Sequence, residues 1–262
     1  MDTEKITMGK FVFILSILMF LTLPGQPSEA SEHPVSLELT DSIIKISTFY
    51  NGTTLEASGI IPADADVLLR VSGPKENVHL KVKGKVAGVL WMNKSDAELD
   101  NTPSVYMLYT PEKSSKLLET QGVDMGYSAL AKGITIKPES ADKAFIFAEY
   151  VKLMEEAGVY TVNKSSIHYK DVENGQKSFS ATLTIPSKMN AGEYMVEAVT
   201  VENGHVLGRS EKKLTLELSG LPKVIAALAF GYPLLFGIMA VFIAVATGLI
   251  IGTLFKGGGG SH

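Results

Sequence analysis

Short runs in which apolar and polar residues alternate dominate residues 35–218. Period-two alternation places apolar side chains on one face of a strand and polar ones on the other, so the pattern predicts half-buried β-strands. Val78, Leu80 and Val82 face one way, while His79, Lys81 and Lys83 face the other. Strands are predicted at 35–39 and at 43–48 and 53–61, the latter two joined as a hairpin through Tyr50-Asn51-Gly52, because Asn-Gly accepts positive φ. Further strands are expected at 67–72, 78–82, 86–93 and 104–109, with Gly73-Pro74 and Asn101-Thr102-Pro103 as turns. Beyond them lie 166–170 and 178–185 around Glu173-Asn174-Gly175, and a last hairpin, 194–202 and 205–218, around Asn203-Gly204.

Between residues 111 and 158 the period changes towards that of a helix. Short helices are expected at 112–121 and 123–131, and a longer one at 140–157. In the last, Ser140 is placed to cap the N-terminus, Asp142 suits the positive end of the helix dipole, and Gly158 stops the helix. Ala144, Phe147, Ala148, Val151 and Met154 share its expected apolar face. The fold class that follows is mainly β, a sandwich with a helical insertion. Asn190-Ala191-Gly192-Glu193-Tyr194 resembles the tyrosine corner of immunoglobulin-like sandwiches, with Val196 where disulfide-bearing members have cysteine.

Two stretches break the alternation altogether. Residues 224–255 carry no charge, and about 20 apolar residues suffice to cross a bilayer as a helix. Because Pro233 removes a helix hydrogen bond, a division is expected into an interfacial lead-in, 221–232, and a transmembrane helix, 233–255, with one continuous tilted helix as the alternative. Ala240, Ala244, Gly248 and Gly252 recur every fourth residue, a row of small side chains that lets another helix approach closely. The second stretch, 11–23, follows Lys5 and Lys10 and precedes Pro24-Gly25 and Ser28-Glu29-Ala30. That order is a secretory signal, with cleavage expected after Ala30. The expected organisation is thus a signal peptide at 1–30, an exported domain at 31–220 with its insert near 111–158, the lead-in, the span, and a short cytoplasmic tail at 256–262. The tail ends in Gly-Gly-Gly-Gly-Ser-His, which reads as a tag linker. Lys256 on the inner side agrees with the positive-inside rule.

Charge and composition narrow the chemistry. The formal net charge of -4 argues against a nucleic-acid partner. Absence of cysteine removes disulfides and thiol chemistry. Lys75, His79, Lys81, Lys83 and Lys85 line up as a candidate anion or partner patch; the competing reading is a solvated strand face whose lysines guard an edge. Trp91, the single tryptophan, is either a core anchor or a ligand platform. Asp96, Glu98 and Asp100 could attract calcium, although they lack the glycine and distal Glu of a calcium loop. His33, His79, His168, His205 and His262 are scattered, and no catalytic motif stands out. No cofactor, metal or catalytic residue is expected.

Gly73-Pro74 with the lysine-rich strand after it, residues 85–93, Pro103 to Tyr109, Gly192-Glu193-Tyr194 with its hairpin, and Tyr232-Pro233-Leu234-Leu235-Phe236-Gly237 together carry a resemblance. With them the chain resembles a family of uncharacterised proteobacterial transmembrane proteins. It implies a signal peptide, an exported domain and one C-terminal span, with genes often beside permeases of the sulfite-exporter type. The expected setting is the bacterial inner membrane, single-pass, with the domain in the periplasm. Two functions are expected to compete. One is a non-enzymatic accessory subunit whose span packs against an integral membrane protein, such as a permease, or against a second copy. The other is a binding module for a small anion or saccharide, held between the sandwich and the insert near Trp91.

Overall fold

The computed structural model describes residues 35–86, 89–112, 115–170 and 172–255. The expected signal peptide and the tail 256–262 lie outside them. The alternating segments become strands in three sheets. The first has the order β1-β3-β11-β10, with β1 (Glu38–Leu39), β3 (Thr53–Pro62), β10 (Ile167–Tyr169) and β11 (Gln176–Ile185), all antiparallel. The second has the order β2-β13-β12-β4-β7-β9, with β2 (Ile43–Ile46), β4 (Asp66–Ser72), β7 (Tyr106–Tyr109), β9 (Tyr160–Asn163), β12 (Gly192–Glu202) and β13 (His205–Leu218). Its outer pairs, β2 with β13 and β7 with β9, are parallel. The third is β5-β6-β8, with β5 (Lys75–Val86), β6 (Leu90–Pro103) and β8 (Thr135–Lys137).

The first two sheets share one core. Leu55, Ala57 and Ile61 of β3 and Phe179, Ala181 and Leu183 of β11 cluster with Leu69 and Val71 of β4, Val196 and Ala198 of β12, and Leu214 of β13. Each large aliphatic or aromatic side chain buried here contributes roughly 1.5–3 kcal/mol. Gly59 makes one close approach possible: a Cβ there would lie 1.9 Å from the Ser36 carbonyl oxygen and 2.6 Å from the Phe179 ring.

The second sheet is buried on both faces at its centre, since Leu68 and Leu69 are both fully buried although they point oppositely. Its outer face carries the helical insert: α1 (Ser115–Leu118), α2 (Tyr127–Gly133) and α3 (Lys143–Glu156). Tyr106 and Tyr160 of the sheet meet Tyr127 of α2 and Tyr150 of α3, with ring centroids 5.9 to 6.5 Å apart. The insert is less helical than its periodicity implies. The helix expected at 112–121 is one turn, the one expected at 123–131 begins at Tyr127, and β8 lies between α2 and α3. Asp142, not Ser140, caps α3, its carboxylate accepting from Phe145 N at 3.0 Å. The buried face of α3 is Ile146, Tyr150 and Val151, flanked by the half-buried Phe147 and Met154, while Ala144 and Ala148 face water. Larger side chains on the neighbouring stripe bury more area.

Three expected turns behave differently. Tyr50-Asn51-Gly52 does not close a hairpin: β2 joins β13 in one sheet and β3 joins β1 and β11 in the other, so this turn crosses between sheets. At Gly73-Pro74 the chain does not reverse. Gly73 N donates to Val105 O at 2.9 Å and Ser104 N to Pro74 O at 2.9 Å, so the β4/β7 ladder runs on into β5/β6. Asn101-Thr102-Pro103 sits inside β6, where Asn101 takes φ 63° as a local irregularity. Asn203-Gly204 does close the β12/β13 hairpin, with φ 49° and 79°, and Asn174-Gly175 closes β10/β11 with φ 53° and 77°.

After Gly220, α4 (Leu221–Gly231) ends at Tyr232, and Pro233 opens α5 (Pro233–Phe255). Within a continuous helix Pro233 would lack the N–H that bonds four residues back, whereas at the first position of a new helix it forfeits nothing, which explains the break. At 23 residues α5 is about 35 Å long, enough for the roughly 30 Å hydrocarbon core.

Candidate functional site

The most constrained polar site lies where the insert meets the second sheet. Glu197 of β12 is buried, and both of its carboxylate oxygens are engaged, Oε2 by Arg70 Nη2 and Oε1 by Arg209 Nη1. The arginines then reach outward to the loop between α1 and α2. Arg70 Nη1 donates to Asp124 O at 3.0 Å, and Arg209 Nη2 donates to Gly122 O and, at 3.2 Å, to Val123 O. Gly126 N donates to the Tyr106 hydroxyl at 2.7 Å. Burial pushes the Tyr106 hydroxyl above the usual tyrosine range, and the Arg70 charge opposes that rise. A carboxylate clamped by two guanidinium groups thus pins the 122–126 loop to the sheet.

Beside this clasp is a cavity of about 240 Å³, lined by Arg70, Lys75, Asn101, Tyr106, Asp124 and Leu130 among others. Arg70 Nε is buried without a hydrogen-bond partner. The Lys75 ammonium and the Asn101 amide in the cavity wall suit a small carboxylate or a hydroxyl-rich ligand, while the Asp124 carboxylate in the same wall opposes an anion.

The expected basic patch is one strand face only in part. His79 Nε2 stands 4.0 Å from the Glu98 carboxylate, and Lys81 lies opposite Asp96 in the β5/β6 register. Lys75 sits at the base of the strand by the cavity, whereas Lys83 and Lys85 lie towards its far end. The acids considered for calcium stand on strand β6 rather than in a loop. Lys137 of β8 neutralises two of them, at 2.7 Å from Asp100 and 3.9 Å from Glu98. Trp91 pairs through its backbone with Lys85, and its side chain lies outside the described set. Its place near the β5/β6 turn separates it from the cavity at the arm's base, so the two do not form one site. His168 and His205 are exposed on separate strands, and His33 and His262 lie outside the described residues. Among the described residues no three His, Asp or Glu side chains converge as metal ligands.

Ala240, Ala244, Gly248 and Gly252 fall along one side of α5, which is exposed throughout its length. An added Cβ at Gly248 or Gly252 would meet no atom within 4 Å. α5 is the one helix among the described residues long and apolar enough to cross a membrane. A family model described as "Putative transmembrane protein (Alph_Pro_TM)" matches residues 34–257. The chain belongs to that family. No curated protein matches it significantly. As an Alph_Pro_TM protein it couples the β domain and the C-terminal helix in one family unit, since the match spans both.

The clasp of this Alph_Pro_TM chain was not among the residues expected to matter. One signal was available: Arg70 and Arg209 are the only arginines in the sequence, both lie in strand interiors, and Arg70 stands between Leu69 and Val71. Arginine suits buried bidentate pairing better than lysine.

Proposed function

We propose that the protein is a non-enzymatic accessory subunit, anchored in the bacterial inner membrane by α5, with an immunoglobulin-like domain in the periplasm. The span packs against an integral membrane partner, such as a permease, or against a second copy. The observation that carries this reading is α5 itself, exposed along its whole length with the Ala240, Ala244, Gly248 and Gly252 row on one side. Small residues in such a row favour close helix packing in a bilayer. α4 serves as an interfacial lead-in, its apolar Leu221, Val224 and Ile225 exposed for contact with the headgroup layer. The immunoglobulin-like reading is supported by strand order. A four-stranded β1-β3-β11-β10 sheet facing a sheet with β13-β12-β4 at its centre matches the ABED and GFC arrangement, with β7 as an added strand beside β4. Tyr194 also donates to Asn190 O at 2.8 Å, as a tyrosine corner does.

The test is co-purification from native membranes. Gly248→Leu and Ala244→Leu should release a membrane partner or dissolve a homodimer while the domain stays folded. An assembly that survives both substitutions in detergent would reduce α5 to a tether.

A second reading, a binding module for a small anion or saccharide, is favoured by one observation: the cavity between sheet and insert, with Arg70, Lys75 and Asn101 in its wall. Calorimetric titration with short carboxylates and sugars separates the readings, because Lys75→Ala and Asn101→Ala should weaken binding and leave the span's assembly intact.

A further inference from the structure

We propose that the β5/β6 arm is a second membrane contact, its tip docking into the headgroup layer of the same bilayer that α5 spans. The inference begins with direction. Leu216 pairs with Gly192 and Leu218 with Ile46, so β13 hands over to α4 at the end of the second sheet where β12 begins. Ser72, the last residue of β4, pairs with Met195 near that same end. Because the ladder continues through Gly73-Pro74, the arm grows out of the sheet at its membrane-proximal end.

Reach agrees with this. The 12 residues of β5 extend about 40 Å, whereas the 11 residues of α4 span about 16 Å even if the helix stands upright. The arm therefore exceeds the greatest stand-off that α4 allows.

The tip has the chemistry of an interfacial segment. Val89, Leu90 and Met92 are 81%, 61% and 50% exposed, three apolar residues within four positions near the end of the arm. Residue 91 is the chain's single Trp, a residue type enriched at membrane interfaces. Between residues 82 and 95 the charged residues are Lys83, Lys85 and Lys94, with no acid. The acids begin at Asp96, opposite Lys81. The distal arm is thus purely cationic on an acidic chain, complementary to anionic lipid. Phe49, 92% exposed and three residues beyond Ile46, adds an apolar point at the same end.

The experiment uses the full chain reconstituted in vesicles of zwitterionic phospholipid, with and without an anionic phospholipid. Trp91 is the sole tryptophan reporter. Docking predicts that lipids brominated near the headgroup quench it and that aqueous acrylamide is excluded, more strongly with anionic lipid. Val89→Asp with Leu90→Asp should reverse both effects, and Lys83→Gln and Lys85→Gln should each lower the docked-to-undocked ratio roughly fivefold on anionic vesicles. Quenching by acrylamide alone would place the tip in water and overturn the proposal. Shielding from both quenchers would place it against protein, a second copy included, and equally overturn it. Flotation with the vesicles reports the α5 anchor separately, so a failed anchor is distinguishable from an undocked arm.

Discussion

Replacing Glu197 by alanine removes a buried carboxylate that holds the arginines of two strands. In the native fold its two oxygens engage Arg70 and Arg209, whose side chains are 25% and 35% exposed, while Glu197's own side chain is 4% exposed. Removing one partner of a fully buried pair costs about 3–5 kcal/mol, chiefly through the charges left behind. Water reaches both guanidinium groups in part, so the lower bound applies and the expected loss is about 3 kcal/mol. For a domain of this size each kcal/mol moves the midpoint by about 2–4 °C, which gives a drop of about 6–12 °C. The assay is thermal unfolding followed by β-sheet circular dichroism in detergent, where α5 remains helical on both sides of the transition. A variant with Arg70→Met, Glu197→Leu and Arg209→Met should recover most of the loss, since apolar replacement of a whole buried charge group is often neutral. In that variant the 122–126 loop, deprived of its arginine donors, should become sensitive to protease. A Glu197→Ala midpoint within about 2 °C of the parent would refute the reasoning, because it would mean the charges are solvated rather than clamped.

Gly59→Val should prevent the domain from folding or cost several kcal/mol, as a Cβ there would overlap the Ser36 carbonyl at 1.9 Å, and denaturant melts measure it. Tyr194→Phe should cost about 1 kcal/mol, the worth of the lost bond to Asn190 O, and shift the urea midpoint downward without altering the slope. Alkali should unfold the domain cooperatively. Burial raises the Tyr106, Tyr109, Tyr127, Tyr160 and Tyr169 hydroxyls above the usual value, so the folded state holds these protons more tightly than the unfolded one. Stability is therefore full below about pH 10 and falls as pH rises beyond it, and tyrosinate absorbance should appear together with the loss of circular dichroism. Tyrosinate that grows in gradually while the fold persists would contradict that burial.

Local signals in the sequence named the hairpin turns at Asn174-Gly175 and Asn203-Gly204 and were poor at naming partners. Asn203-Gly204 and Asn51-Gly52 look alike, and both glycines take positive φ, yet only the first closes a hairpin. The pairing of β2 with β13 is a contact across most of the chain, decided by which sheet buries Ile44, and no turn motif encodes it. Alternation along β5 was legible, as were the span and the break at Pro233, because each depends on neighbours a few residues away. The clasp was hidden for the opposite reason. Arg70 and Glu197 are 127 positions apart, and Glu197 alternates with the apolar Val196 and Ala198, a pattern typical of a solvent face, whereas the insert covers it. The capping error at α3 was smaller, two residues, since Ser140 and Asp142 offer the same chemistry.

The strand that leads to the membrane is not an edge. β13 lies between β2, which runs parallel to its last residues, and β12, which pairs with most of its length. Tension applied through α5 acts along β13 and so loads both ladders in shear, with many hydrogen bonds resisting together, instead of peeling them one at a time. The domain is consequently built to stay intact when its anchor is pulled.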